Sequence, residues 1–127
     1  MISIQIQKGV KGTQELTVTE NDTALKYGSG LVAVFATPAM IALMETTALK
    51  SIASYLPENA TSVGIEVNMK HLRASAVGHT LRCESVITEV KGNKITFELT
   101  VWDDSILVGH GMHVRHIVDT EKFLTQL

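Results

Sequence analysis

The segment that most constrains the fold is residues 35–55, the one long stretch of the sequence that is typical of a helix. Thr37 can cap its N-terminus, and Pro38 suits the first turn because the N–H that it lacks would be unbonded there. Pro57 then ends the run. Apolar residues on most sides predict that the helix is buried within the protein. Glu45 breaks that pattern, since apolar residues lie one turn before it and one turn after it.

Short stretches of alternating apolar and polar residues predict strands on both sides of this helix. They are residues 2–6, 16–19, 63–71, 81–88, 95–101 and 106–118, and a short helix around residues 121–124 follows them. The loops after the helix are short, so the strands are expected to form an antiparallel sheet with the helix against one face. The fold class predicted is therefore α+β. Such a sheet leaves its edges and one face partly uncovered, and dimerisation is the usual remedy.

Composition limits the possible functions. With 127 residues the chain is expected to form a single domain over residues 1–127, and its net charge of −2 gives no basic surface for nucleic acid or an anionic membrane. The N-terminus lacks a signal-peptide pattern, and no apolar run approaches about 18 residues, so a cytoplasmic protein is expected. The single cysteine, Cys83, cannot form an intrachain disulfide, which fits a reducing compartment. On a buried strand face it is expected to be inert.

Three residues could carry chemistry near the predicted helix. Thr37 is either an ordinary cap or a reactive hydroxyl, and Glu45 is either a carboxylate with a raised pKa or a partly exposed, structural one. Eight residues separate them, about 12 Å along a helix and 80° around it, so they can line one pocket without bonding directly. Alternation from Val63 and Ile65 places His71 on the strand face that packs on the helix. A histidine there can transfer protons, although by itself it is more often structural.

The last strand combines glycines with histidines. Gly109, Gly111 and His113 fall on one face of it, and glycines in a strand usually mark a close approach, here expected from the helix. His110 and His116 fall on the opposite face, about 20 Å apart, so the three histidines are not expected to form a zinc site.

Four motifs together resemble the hotdog-fold thioesterases, and more narrowly their fluoroacetyl-CoA thioesterase-like branch. They are residues 34–40 (VFATPAM) leading to Glu45, residues 67–71 (VNMKH), Gly78, and residues 109–115 (GHGMHVR). The resemblance extends over about residues 15–124. The Thr–Glu spacing of eight and the Glu–His spacing of 26 also match that branch.

The resemblance implies a hotdog fold, an antiparallel sheet wrapped around one long helix, and hydrolysis of an acyl-CoA thioester to free acid and CoA. It implies a catalytic set of Thr37, Glu45 and His71, with Gly64 and Arg115 in the substrate region. No metal or cofactor is implied, because CoA is part of the substrate.

The resemblance further implies a homodimer, or a dimer of dimers, with CoA held near the subunit interface. Lys70 and Arg73 are then candidate partners of the CoA phosphates. Phe35, together with Leu31 and Val34, is expected to contact the acyl group.

Two other functions remain open on the same fold. One is a hotdog dehydratase or hydratase, which acts on a CoA thioester without cleaving it. The other is a module that binds acyl-CoA without turnover, since fold alone does not determine function.

Overall fold

A computed structural model describes residues 5–127 as one antiparallel sheet with a single long helix against it. The helices are α1 (Ala24–Tyr27), α2 (Thr37–Ile52) and α3 (Thr120–Thr125). The strands are β1 (Lys11–Thr17), β2 (Ala60–His71), β3 (Thr80–Lys91), β4 (Lys94–Asp103) and β5 (Ile106–Asp119). Their order across the sheet is β1-β3-β4-β5-β2, and every neighbouring pair is antiparallel. The predicted α+β architecture is confirmed.

The core lies between α2 and the inner face of the sheet. The β4 residues predicted to be buried, Ile95, Phe97, Leu99 and Val101, are all fully buried. Met40 and Leu43 of α2 are buried in the same core. Alternation of side chains along β4 therefore decided which of its faces is covered.

The N-terminal strand prediction is only partly testable. Its residues 1–4 lie outside the described residues, while residues 5–7 are not in a strand. Gly9 lies in the turn before β1, at φ +95°. Gly12 lies inside β1, where an added Cβ would be 2.5 Å from the Cβ of Ser51 on α2. This glycine allows the helix to approach the strand.

A bulge in β2 overturns part of the predicted strand face. Gly64 pairs with Arg115, and Glu66 pairs with Val114, which is adjacent to Arg115 in β5. Ile65 is therefore an additional residue in β2. Ile65 is 54% exposed and Val63 pairs with the outward-facing His116, so neither shares the helix-facing side with His71. The extra residue shifts the alternation by one and brings Gly64 to the helix-facing side instead.

The two glycines of β5 make room for different neighbours. A Cβ at Gly109 would meet the sulfur of Met40 on α2, which confirms the predicted approach of the helix. A Cβ at Gly111 would instead lie 2.5 Å from the Cβ of Met69 and 2.6 Å from the carbonyl oxygen of Asn68, both in β2. The crowding at Gly111 therefore comes from the adjacent strand.

The prediction that α2 is buried on most sides was wrong. One side packs on the sheet, but Ala42 is exposed and Ile41, Glu45 and Leu49 are only partly buried. A single sheet covers one side of a helix, and within residues 5–127 no other element covers the opposite side. No helix of the described part of the chain is long and apolar enough to span a membrane.

Candidate active site

The start of α2 carries a threonine–histidine pair. Ala36, in an extended conformation, is the N-cap residue, and its carbonyl accepts the Met40 N–H at 3.0 Å. Thr37 is therefore the first helical residue, and the prediction that it is the cap was wrong. Its hydroxyl instead lies 2.9 Å from Nδ1 of His71, the last residue of β2.

The environment of His71 favours a neutral ring. Burial lowers its pKa, and the backbone of Arg73 opposes that shift only in part. The ring of Phe35 packs edge-on against it, with centroids 6.3 Å apart. Nε2 is buried and has no hydrogen-bond partner among residues 5–127. With the ring proton on Nε2, Nδ1 accepts the hydrogen bond of the Thr37 hydroxyl, which is the arrangement of an activated nucleophile.

The pair opens into a surface cleft of about 340 Å³, formed by the segment before α2 and the loop after β2. Thr37 is exposed there, and Val34, Phe35, His71 and Arg73 also line the cleft. Val34, Phe35 and Arg73, which were predicted to contact the acyl group or the CoA phosphates, thus lie beside the Thr–His pair. Leu31, also predicted to contact the acyl group, lies on the preceding segment and is 93% exposed.

Glu45 belongs to a different group of side chains. Its carboxylate oxygen is 3.9 Å from Nη1 of Arg115, whose side chain is only 7% exposed. Arg115 is fixed by Ser62, because Nε donates to the hydroxyl at 2.7 Å and Nη2 to the carbonyl at 2.8 Å. Strand β5 and the edge strand β2 thereby hold the buried Arg115 guanidinium next to the Glu45 carboxylate.

Of the two alternatives for Glu45, the structure favours the partly exposed carboxylate. Its side chain is 40% exposed, although it reaches Arg115 of β5 and the position of Gly64 in β2. Glu45 makes no hydrogen bond to Thr37 or His71, in agreement with the gap that the eight-residue spacing predicts. The three predicted catalytic residues therefore form two groups, Thr37 with His71 and Glu45 with Arg115.

Gly64 joins the second group through its missing side chain. A Cβ there would lie 2.7 Å from the Glu45 carboxylate and 3.4 Å from Nη1 of Arg115. The same Cβ would lie 3.0 Å from Cε1 of His113, which is fully buried. The sequence marks His113 as a functional residue only by its place two residues before Arg115 on the same strand face.

Lys70 and the remaining histidines lie elsewhere. Lys70 alternates with His71 along β2 and lines a separate cavity of about 330 Å³ that His110 also lines. Its contact with CoA phosphates stays a prediction. His110 and His116 are exposed while His113 is buried, so they occupy opposite faces as expected. No three His, Cys, Asp or Glu side chains of the described chain are grouped as metal ligands.

Cys83 lies in the core of the sheet. Its thiol is fully buried, and burial raises its pKa to about 11. A thiol is a weak nucleophile unless it is deprotonated. The expectation that Cys83 is inert is therefore supported.

This architecture is that of the hotdog-fold thioesterases. The chain belongs to the fluoroacetyl-CoA-specific thioesterase family, FlK, whose family model matches residues 18–121. A curated relative, the fluoroacetyl-CoA thioesterase of Streptantibioticus cattleyicolor, is 30% identical over 90 residues. That match covers 71% of this chain and 65% of the relative, slightly under two thirds of its length.

Solved structures agree on the fold. The fluoroacetyl-CoA thioesterase FlK superposes with a TM-score of 0.90 at 25% identity, over 95% of this chain and 94% of that one. A hypothetical protein of Thermus thermophilus, a thioesterase superfamily member, gives 0.88 at 24% identity, over 95% and 90% of the two chains. A hot-dog-like protein from Thermanaerovibrio acidaminovorans also gives 0.88, at 21% identity and over the same shares of the two chains. The predicted hotdog fold and family are confirmed.

Proposed function

We propose that this chain hydrolyses an acyl-CoA thioester to the free acid and CoA. The observation that carries the proposal is the 2.9 Å hydrogen bond between the Thr37 hydroxyl and His71 Nδ1 at the wall of an open cleft. Membership of a family of thioester hydrolases supports it, and one solved FlK structure is described as a complex with fluoroacetate and CoA.

Two routes are compatible with this pair. In one, Nδ1 of His71 takes the Thr37 proton while Oγ1 attacks the carbonyl carbon; the C–S bond breaks, CoA leaves as the thiol, and water then hydrolyses the acyl ester. In the other, Glu45 and His71 activate water directly, and Thr37 orients the thioester carbonyl. In both, the free N–H groups of the first turn of α2 are available to stabilise the developing oxyanion.

The Glu45–Arg115 group completes the proposed site. Arg115 holds a positive charge next to the carboxylate, and the missing side chain at Gly64 lets the carboxylate lie within 2.7 Å of the position that a Cβ would take. A carboxylate at this position can receive a proton from the attacking water. Arg73, exposed at the rim of the cleft, is the proposed partner of the CoA phosphates, with Lys70 as a further one.

The proposed assembly is a homodimer. The apolar side chains of Ile41 and Leu49 are partly exposed on α2, one turn before and one turn after Glu45, and β2 is a 12-residue edge strand. A second copy would cover both features. Sedimentation velocity at micromolar concentration should give about twice the 13.8 kDa chain mass, or four times for a dimer of dimers. A single species at the mass of one chain would refute this assembly.

We also place the activity in the cytoplasm, because the single cysteine is a free thiol that suits a reducing compartment. Fractionation of cells that express the full chain tests the location. Recovery of the protein outside the cytoplasmic fraction would overturn it.

The test of the reaction is release of free CoA thiol from a panel of short, medium, branched and aryl acyl-CoAs, in buffer without added metal or cofactor. We expect thiol and free acid in equal amounts. A dehydratase or hydratase would instead change enoyl-CoA absorbance with no thiol released. A binding module would bind acyl-CoA tightly in calorimetry without turnover. Either result would exclude thioester hydrolysis as the function.

A further inference from the structure

We propose that His113 is a positioning residue that holds the Arg115 guanidinium in place beside Glu45. The inference rests on the proposed function, in which the Glu45 carboxylate receives a proton from the attacking water. It assigns His113 a role through Arg115, because His113 is fully buried and is not among the residues that line the cleft beside Thr37.

The hydrogen bonds around His113 define its tautomer. Arginine has donors only, so Nη1 of Arg115, 3.0 Å from Nε2, must donate to an unprotonated nitrogen. The ring proton is then on Nδ1, which donates to the backbone carbonyl of Glu66 at 2.8 Å. Both ring nitrogens are therefore paired in one neutral tautomer. Burial lowers the pKa of His113, and Arg115 adds to that effect against the opposing influence of the Glu66 carbonyl and Glu45.

The ring itself is fixed on several sides. It stacks on Phe97, with centroids 6.2 Å apart and an interplanar angle of 28°. The Glu66 carbonyl lies directly after the β2 bulge, and Gly64 lies so close that an added Cβ there would be 3.0 Å from Cε1. The bulge in the edge strand thus sets the position of the imidazole, and the imidazole sets the position of Nη1.

The position of Nη1 decides whether Arg115 pairs with the Glu45 carboxylate. The other two bonds of Arg115, from Nε and Nη2, are both to Ser62, so only Nη1 faces the carboxylate. Its distance of 3.9 Å to Glu45 is at the limit of an ion pair, so a small rotation of the guanidinium breaks the interaction. Without the acceptor at His113, only the two bonds to Ser62 hold the guanidinium, and the whole planar group can tilt about them and carry Nη1 away from Glu45.

Two matched substitutions separate the two hydrogen bonds. Glutamine in His113→Gln can place its oxygen near the Nε2 position and still accept from Arg115, but it does not reach Glu66. Asparagine in His113→Asn can donate to Glu66 from the Nδ1 position, but it is too short for Arg115. Both create a cavity next to Phe97, so both are expected to lower the melting temperature to a similar extent.

We expect His113→Gln to keep kcat within about threefold of the original, and His113→Asn to lose on the order of tenfold in kcat with little change in KM. Equal losses in the two variants, or a greater loss in His113→Gln, would overturn the positioning role. If the unsubstituted chain releases no thiol, the proposed function fails.

A spectroscopic readout does not depend on activity. Long-range ¹H–¹⁵N correlation spectra of the full chain should show His113 neutral with the proton on Nδ1. Arg115→Lys should shift the Nε2 resonance while leaving the signals of His71 unchanged. An Nε2–H tautomer, or an unaffected Nε2 in Arg115→Lys, would contradict the proposal even in an inactive protein.

Discussion

Replacing His71 with alanine should lower kcat/KM for acyl-CoA hydrolysis by about 10²–10⁴-fold, the range expected when a general base is lost. The imidazole holds the Thr37 hydroxyl at 2.9 Å, and the described chain offers no other group hydrogen-bonded to that hydroxyl. Thr37→Ala should have a comparable effect. Because the two residues act as a unit, the double variant should lose little more than either single variant. Initial rates of thiol release by the unsubstituted chain, the two single variants and the double variant give this double-mutant cycle.

The controls use a second threonine of the same helix. Thr46 also uses its hydroxyl in a hydrogen bond, to Gln14 at 3.1 Å, but it lies away from the cleft, so Thr46→Ala should keep near-normal turnover. Thr37→Ser retains a hydroxyl and should retain part of the rate. Near-normal rates in folded Thr37→Ala and His71→Ala would show that the pair is not catalytic.

The pH profile provides an independent readout of the same prediction. A general base must be neutral to accept a proton, and burial lowers the pKa of His71 below its ordinary value of 6.5. We therefore expect kcat/KM to be on its plateau at neutral pH and to fall only when the pH drops through an apparent pKa below 6.5. The residual activity of His71→Ala should lack this acid limb.

The second large effect concerns stability. Arg115→Met should lower the free energy of unfolding by about 3 kcal/mol or more, since each buried polar group left without a partner costs about 1–3 kcal/mol. The substitution removes the donors to the hydroxyl and carbonyl of Ser62 and to Nε2 of His113. It also removes the ion-pair partner of Glu45, so turnover should fall as well. Urea unfolding followed by circular dichroism measures the loss.

Arg82→Met is the matched control for this substitution. Arg82 pairs with Glu84 at 3.4 Å, but both side chains are about half exposed, and such pairs contribute less than about 1 kcal/mol. If Arg115→Met and Arg82→Met shift the urea midpoint equally, the buried network around Arg115 does not stabilise the fold as described.

The elements that could be predicted from the sequence are those in which local periodicity coincides with burial. The inner face of β4 follows directly from alternation, and α2 from its apolar residues and the proline in its first turn. The β2 face could not be predicted in full, because alternation alone does not reveal the bulge at Ile65. That one residue decides whether Val63 or Gly64 faces the helix.

The candidate site was predictable only in part for a related reason. The local sequence predicts that Thr37, at a helix start, is a cap. Its hydroxyl is instead hydrogen-bonded to His71, which lies 34 residues further along the chain. The pairing of Glu45 with Arg115 depends likewise on strand order rather than on sequence spacing. The sequence predicted only that His113 does not form a zinc site with His110 and His116, because its bond to the Glu66 carbonyl depends on a contact with another strand.

The most direct test of the central claim is release of free CoA thiol from the panel of short, medium, branched and aryl acyl-CoAs by the unsubstituted chain and by His71→Ala, at equal concentrations of folded protein. The expected result is steady thiol release by the unsubstituted chain on at least one substrate of the panel, and a rate on that substrate lower by at least about 100-fold in the variant. No thiol release by the unsubstituted chain, or equal rates in the two proteins, would contradict a thioesterase that works through Thr37 and His71.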